Sequence, residues 1–148
     1  MVEDENIRVL TGSRLFKGLS QYEIEQVFDF IHPKEKDYDK NEIIVNQGEP
    51  VSKIGLLKKG TVTSIKYHFN GDAQILRIYK SGEVLSMDAV NTTFLTSPVT
   101  LLSQTDCSIL FIAYKKLLEI DKISSTVERK NYAEQHRNIR QRTGSTDV

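Results

Sequence analysis

Between Ser20 and Pro33 apolar residues fall at Ile24, Val27, Phe28 and Ile31, three and four positions apart. That spacing predicts a helix with one packed face, which is core rather than a cofactor box. Ser20 is a capping residue, and Glu23 can reach back to close a capping box, so the helix starts there. Pro33 stops it, having no N–H to continue the ladder. Ahead of it, residues 1–14 read as a polar leader, followed by the apolar-edged stretch Leu15 to Leu19.

From Lys36 to Ile112 short β-branched and aromatic runs alternate with turn signals, the texture of a β-sandwich or roll. The turns are Asp39-Lys40-Asn41, Gly48-Glu49-Pro50, Lys58-Lys59-Gly60, Asn70-Gly71 and Ser81-Gly82. The clearest hairpin runs from Thr61 to Phe69, turns at Asn70-Gly71 and returns from Ala73 to Tyr79; Asn-Gly suits a type I′ turn. Within it Ile65, Tyr67 and Phe69 alternate with Ser64, Lys66 and His68, which predicts one buried face and one wet face. By the same alternation Arg77 points opposite to Leu76 and Ile78 and faces water, with a pocket role open if the strand is buried on both sides. Val84 to Gln104 is less regular, with a short helical turn around Met87 to Val90 and a polar loop at Asn91-Thr92-Thr93. After a strand from Cys107 to Ile112, Tyr114 to Ile120 reads as helix. Ser125 and Glu128 form a second capping box, opening a helix toward Gln141 and a frayed end from Thr143.

The chain has 148 residues, 39% hydrophobic and 27% charged, enough for one domain with a sizeable core. Twenty basic residues balance 20 acidic ones, so no overall field draws it to nucleic acid or an anionic membrane. No window reaches the roughly 20 apolar residues of a membrane span, and the acidic start is unlike a signal peptide; the expected compartment is the cytoplasm. Cys107, the single cysteine, cannot form an internal disulfide or hold an iron–sulfur cluster alone, and reads as a small core residue. His32, His68 and His136 are scattered, with no pair at metal-ligand spacing, and no nucleophile–base motif is visible. No enzyme, metal or cofactor is therefore expected.

The order of these patches resembles the sensor domain of Crp/Fnr transcription regulators over about Leu15 to Leu118. The matching segments are Leu15-Phe16-Lys17-Gly18-Leu19-Ser20, Glu42 to Pro50, Leu57-Lys58-Lys59-Gly60-Thr61-Val62, Gly71 to Arg77 and Ser81-Gly82-Glu83-Val84-Leu85. The resemblance implies a mainly β fold with flanking helices: a double-stranded β-roll, jelly-roll and cyclic-nucleotide-binding-like, followed by a C-terminal helix. The expected organisation is a leader at 1–14, a sensor roll at 15–120, and at 121–148 a partial dimerisation-type helix and tail, without a DNA-binding domain. The resemblance also implies a small-molecule pocket and a homodimer through the last helix, for which Ile120, Ile123 and Val127 are the candidates. Lys130 and Arg137 then weaken that seam. The basic residues Arg129, Lys130, Arg137, Arg140 and Arg142 read as a solvated helix face, so this chain alone is not expected to bind specific DNA.

Members of that family that bind cyclic nucleotides resemble one another in a Gly-Glu pair for the ribose and an Arg-Ser pair for the phosphate. Aligned on Gly82 and on Thr105, those positions hold Ser86-Met87 and Ser97-Pro98 here. No Lys or Arg occurs from Leu85 to Ile112, and a buried phosphate needs a cation. The expected effector is thus uncharged or weakly charged. Leu85, Met87, Val99 and Leu101 are candidates for apolar contact, and Ser86, Asp88, Asn91, Thr92, Ser97 and Thr100 for polar anchoring. Each has a plainer reading: the leucines as core, the Ser and Thr hydroxyls as turn formers, Asp88 as the cap of its own turn. A cyclic AMP or GMP module, and a ligand-free β-roll filled by Met87 and Phe94, are the alternatives.

Overall fold

A computed structural model describes residues 4–89 and 95–123. Helix α1 (Asp4–Gly12) lies inside the stretch read as a leader, with Ile7 and Leu10 buried on one face. A short 3-10 turn at Arg14–Phe16 leads to α2 (Gln21–Ile31), which begins at the expected box: Ser20 Oγ accepts from Glu23 N–H at 3.2 Å while Glu23 Oε1 accepts from Ser20 N–H at 2.7 Å. It ends at Ile31, two residues before Pro33, and is capped by a left-handed His32 whose N–H reaches Phe28 O at 3.0 Å.

Eight strands follow: β1 (Lys34–Tyr38), β2 (Ile43–Val45), β3 (Lys53–Lys59), β4 (Val62–Tyr67), β5 (Ala73–Tyr79), β6 (Val84–Leu85), β7 (Thr100–Ser103) and β8 (Cys107–Ala113). Among the described residues helix α3 (Tyr114–Ile123) comes last. The strands form two four-stranded antiparallel sheets, β1-β8-β3-β6 and β2-β7-β4-β5. Leu57, Leu85 and Ile109 of the first sheet meet Val62, Tyr79 and Leu101 of the second, with Tyr38, Val99 and Cys107 completing that interior. On the far side of the first sheet Ile54, Leu56, Leu110 and Ile112 lie under Ile7, Leu10, Ile24, Ile31 and Ile120 of the three helices. Each such Leu or Ile contributes about 1.5–3 kcal/mol by leaving water.

The β4–β5 hairpin forms where the pattern placed it, but its turn and its faces differ from expectation. Only Gly71, at φ 91°, is left-handed; Asn70 is not, so this is no type I′ turn. Gly71 N–H bonds His68 O at 2.9 Å and His68 N–H bonds Asp72 O at 2.9 Å, a three-residue loop ending in a glycine bulge. Val62, Ser64 and Tyr79 face the roll interior, and Ser64 is buried, whereas Tyr67 falls on the other side of the strand with Ile65, and Tyr67 and Phe69 are exposed. The register also slips between Ser64 and Ile65, leaving Leu76 as an extra residue in β5. Arg77 is opposite to Ile78 and exposed, both as read, although its backbone pairs with buried Ser64.

Candidate functional site

The irregular stretch after β5 is held against the first sheet. Glu83 N–H bonds Lys80 O at 3.0 Å and Gly82 N–H bonds Leu57 O at 2.7 Å, tying the Ser81-Gly82 turn to β3. Leu85 then enters the interior beside Leu57 and Ile109. Ser86 follows at φ 70°, a left-handed conformation that glycine takes freely and serine does not. The backbone at this position thus has a shape that suits glycine. Ala89 N–H bonds Ser86 O at 3.2 Å, forming the short turn expected around Met87.

The candidates divide. Leu85, Val99 and Leu101 are buried together in the interior, and Ser86 is buried next to Leu85. Met87 instead packs on the opposite cluster, under the helices. Ser97 Oγ donates to Val99 O at 2.6 Å, so its hydroxyl serves its own loop. Thr100 pairs with Ile65 and thus faces away from the interior, its Oγ1 accepting Gln47 N–H at 3.0 Å. Asp88 is exposed. Asn91, Thr92 and Val127 lie outside the described residues, as does the side chain of Ile123. Ile120, a candidate for the dimer seam, is buried within its own protomer beneath α1 and α2.

Two residues that sequence reasoning passed over belong here. Ser64, opposite both Leu101 and Arg77, donates its hydroxyl to Arg77 O at 3.4 Å. Tyr79 is buried, and the Arg77 guanidinium lies over its ring at 4.4 Å while reaching Glu83 Oε2 at 3.5 Å. Burial pushes the Tyr79 hydroxyl above its ordinary pKa, the Asp88 and Glu83 carboxylates push the same way, and Arg77 opposes them. Near Tyr79 two carboxylates therefore stand against one guanidinium. The only signal for this in the sequence was the strand alternation, which puts Arg77 and Tyr79 on one side.

His68 sits in the exposed hairpin loop, its Nε2 3.2 Å from Gln74 Oε1. Among the described residues no three His, Cys, Asp or Glu side chains gather where a metal ion could be held. Among those same residues no helix is long and apolar enough to cross a membrane.

Residues 35–123 match the Cyclic nucleotide-binding domain family. The chain belongs to that family. No curated protein sequence matches it. Solved cyclic nucleotide-binding folds that it resembles include the sensor domain of the transcriptional regulator DNR from Pseudomonas aeruginosa, 17% identical, with a TM-score of 0.72 over 97% of this chain and 96% of that one. Catabolite Activator Protein of Thermus thermophilus is 19% identical with a TM-score of 0.68, covering 91% of this chain and 62% of that one. The regulatory domain of Toxoplasma gondii PKA, solved with cAMP, is 17% identical with a TM-score of 0.71, covering 89% of this chain and 51% of that one. At these identities the likeness is one of fold, a cyclic nucleotide-binding-like roll.

Proposed function

We propose that the chain is the effector-sensing domain of a cytoplasmic Crp/Fnr-type transcription regulator, and that its effector is a small molecule other than a cyclic nucleotide. What carries the reading is the fate of two side chains. Met87, where nucleotide-reading relatives place a carboxylate, packs under the helices, and Ser97, where they place a guanidinium, bonds its own loop. The carboxylates around Tyr79 add a second obstacle to a phosphate. An uncharged effector with an apolar body suits the Leu85, Val99 and Leu101 wall, with Ser64, Ser86 and Tyr79 as polar contacts.

Calorimetric titration with cyclic AMP and cyclic GMP tests this. The expected result is no binding tighter than about 1 mM, some 4 kcal/mol. Micromolar binding would overturn it and make the domain an ordinary cyclic-nucleotide sensor.

A further inference from the structure

Strand β1 carries its two kinds of charge on separate sides. Lys34 and Lys36 pair with Phe111 and Ile109, on the side of the sheet that faces the second sheet, while Glu35 and Asp37 pair with Leu110 and Ser108 on the other. Both carboxylates are occupied: Glu35 Oε1 meets the Lys58 ammonium at 2.9 Å, and Asp37 Oδ1 accepts from Ser108 Oγ at 2.7 Å. The two lysines are exposed, and so is Lys53 of β3, on the same side as Gly55 and Phe111. Among the described residues none of these three ammoniums is in an ion pair. Two rest on rings instead: Lys36 Nζ lies 5.0 Å from the centre of Tyr38 and Lys53 Nζ 4.8 Å from that of Phe111, and the rings meet edge to face at 6.4 Å. Lysines on an edge strand ordinarily keep other strands away, but that guard does not account for Lys53, since β3 lies two strands in from β1.

We propose that this face docks an extended acidic segment of a partner protein. Charge complementarity selects the occupant. Lys34 and Lys36 stand two residues apart on one side of a strand, about 6.8 Å, and an extended chain repeats its carboxylates on one side at that same interval. Lys53, across β8, takes a further carboxylate beside the Phe111 ring. A nucleic acid fits less well, because its bases stack on free aromatic faces, and here Tyr38 is buried and each ring already holds an ammonium. The formal net charge of zero gives the chain no overall field for anions, so the attraction is confined to this face.

The test titrates the full chain into a fluorescein-labelled peptide of alternating Glu and Thr, read by anisotropy, with an oligothymidylate of equal charge alongside. The peptide is expected to bind with a Kd between about 1 µM and 1 mM, and to weaken as salt rises from about 0.01 to 0.15 M. The combined Lys34→Gln, Lys36→Gln and Lys53→Gln variant is expected to bind about tenfold or more weakly, with unchanged circular dichroism. Lys17→Glu with Lys80→Glu, a larger change of net charge at exposed lysines elsewhere, is expected to leave binding unaltered. No binding near about 1 mM, binding indifferent to the three lysines, or an equal loss in the Lys17, Lys80 variant would overturn the surface. Tighter binding of the oligothymidylate through the same three lysines would overturn the partner and make this a nucleic-acid face.

Discussion

The Lys58 ammonium lies 2.9 Å from Glu35 Oε1, although Lys58 is only 7% exposed. Lys58 is the extra residue where the β3–β8 register slips between Leu57 and Lys59, and its Nζ also meets Glu5 Oε1 at 2.7 Å. The pair of contacts ties α1 and β1 to β3.

Glu35→Gln is expected to cost about 0.5–1 kcal/mol in urea denaturation, since the carboxylate is partly exposed and Lys58 keeps Glu5. The Glu5→Gln, Glu35→Gln double variant is expected to lose more than the two single losses added, because the ammonium is then buried without a partner. Simple additivity would mean that the two contacts act independently.

The same cluster fixes a pH dependence. The Lys58 hydrogen bond holds Glu5 below its ordinary pKa of 4.5, so its contribution is present above that value and lost as pH falls through the folded-state pKa. Burial works against the Lys58 ammonium, yet its bonds to Glu5 and Glu35 raise it above 10.5; that contribution is whole below 10.5 and lost as pH rises through the folded-state pKa. Thermal melts across pH should decline at both ends, and Glu5→Gln should flatten the acid decline.

Ser86→Gly is expected to leave the fold intact and to raise stability slightly, by about 0.5 kcal/mol, relief of the left-handed strain being partly offset by a freer unfolded chain. Ser86→Val should cost about 1–2 kcal/mol, since a β-branched residue fits that conformation worst. Denaturant midpoints for the two variants on opposite sides of the parent would bear this out.

At Gly60 both space and conformation exclude a side chain. Its φ is +96°, and a Cβ there would run into the Asp106 carbonyl oxygen and the Cys107 sulfur at 2.7 Å. Gly60→Ala should therefore destabilise by about 3 kcal/mol or more, read as a lowered Tm.

Local chemistry made much of this fold legible. The Ser20–Glu23 box, the Pro33 stop, the hairpin across Asn70-Gly71 and the strand from Cys107, one residue longer than read, each depend on neighbours in sequence, and all are present. Helix α1 was missed because its apolar residues, Ile7, Val9 and Leu10, sit among charges, and only packing on the first sheet gives them a core. The faces of β4 were misread because alternation gives two sides but not which one meets the other sheet. In the site, the left-handed φ of Ser86 was not legible, since serine seldom takes it. Met87 was placed in the pocket by adjacency to Leu85, and only the contacts turn it toward the helices.

Leu76 has a consequence for how the edge of the roll can vary. Ile75 pairs with Ile65 and Arg77 with Ser64, so every other residue of β5 has a partner on β4 and Leu76 alone has none. Because a bulge absorbs one residue without reversing the pleat, Leu76 could be deleted while Ile75 and Ile78 keep one side of the strand and Arg77 and Tyr79 the other. Deletion at any other position of the strand, with that bulge kept, would turn one end over. The hairpin thus contains a single site of tolerated length change, placed where β5 passes from Ile75 on one side of the sheet to Arg77 on the other.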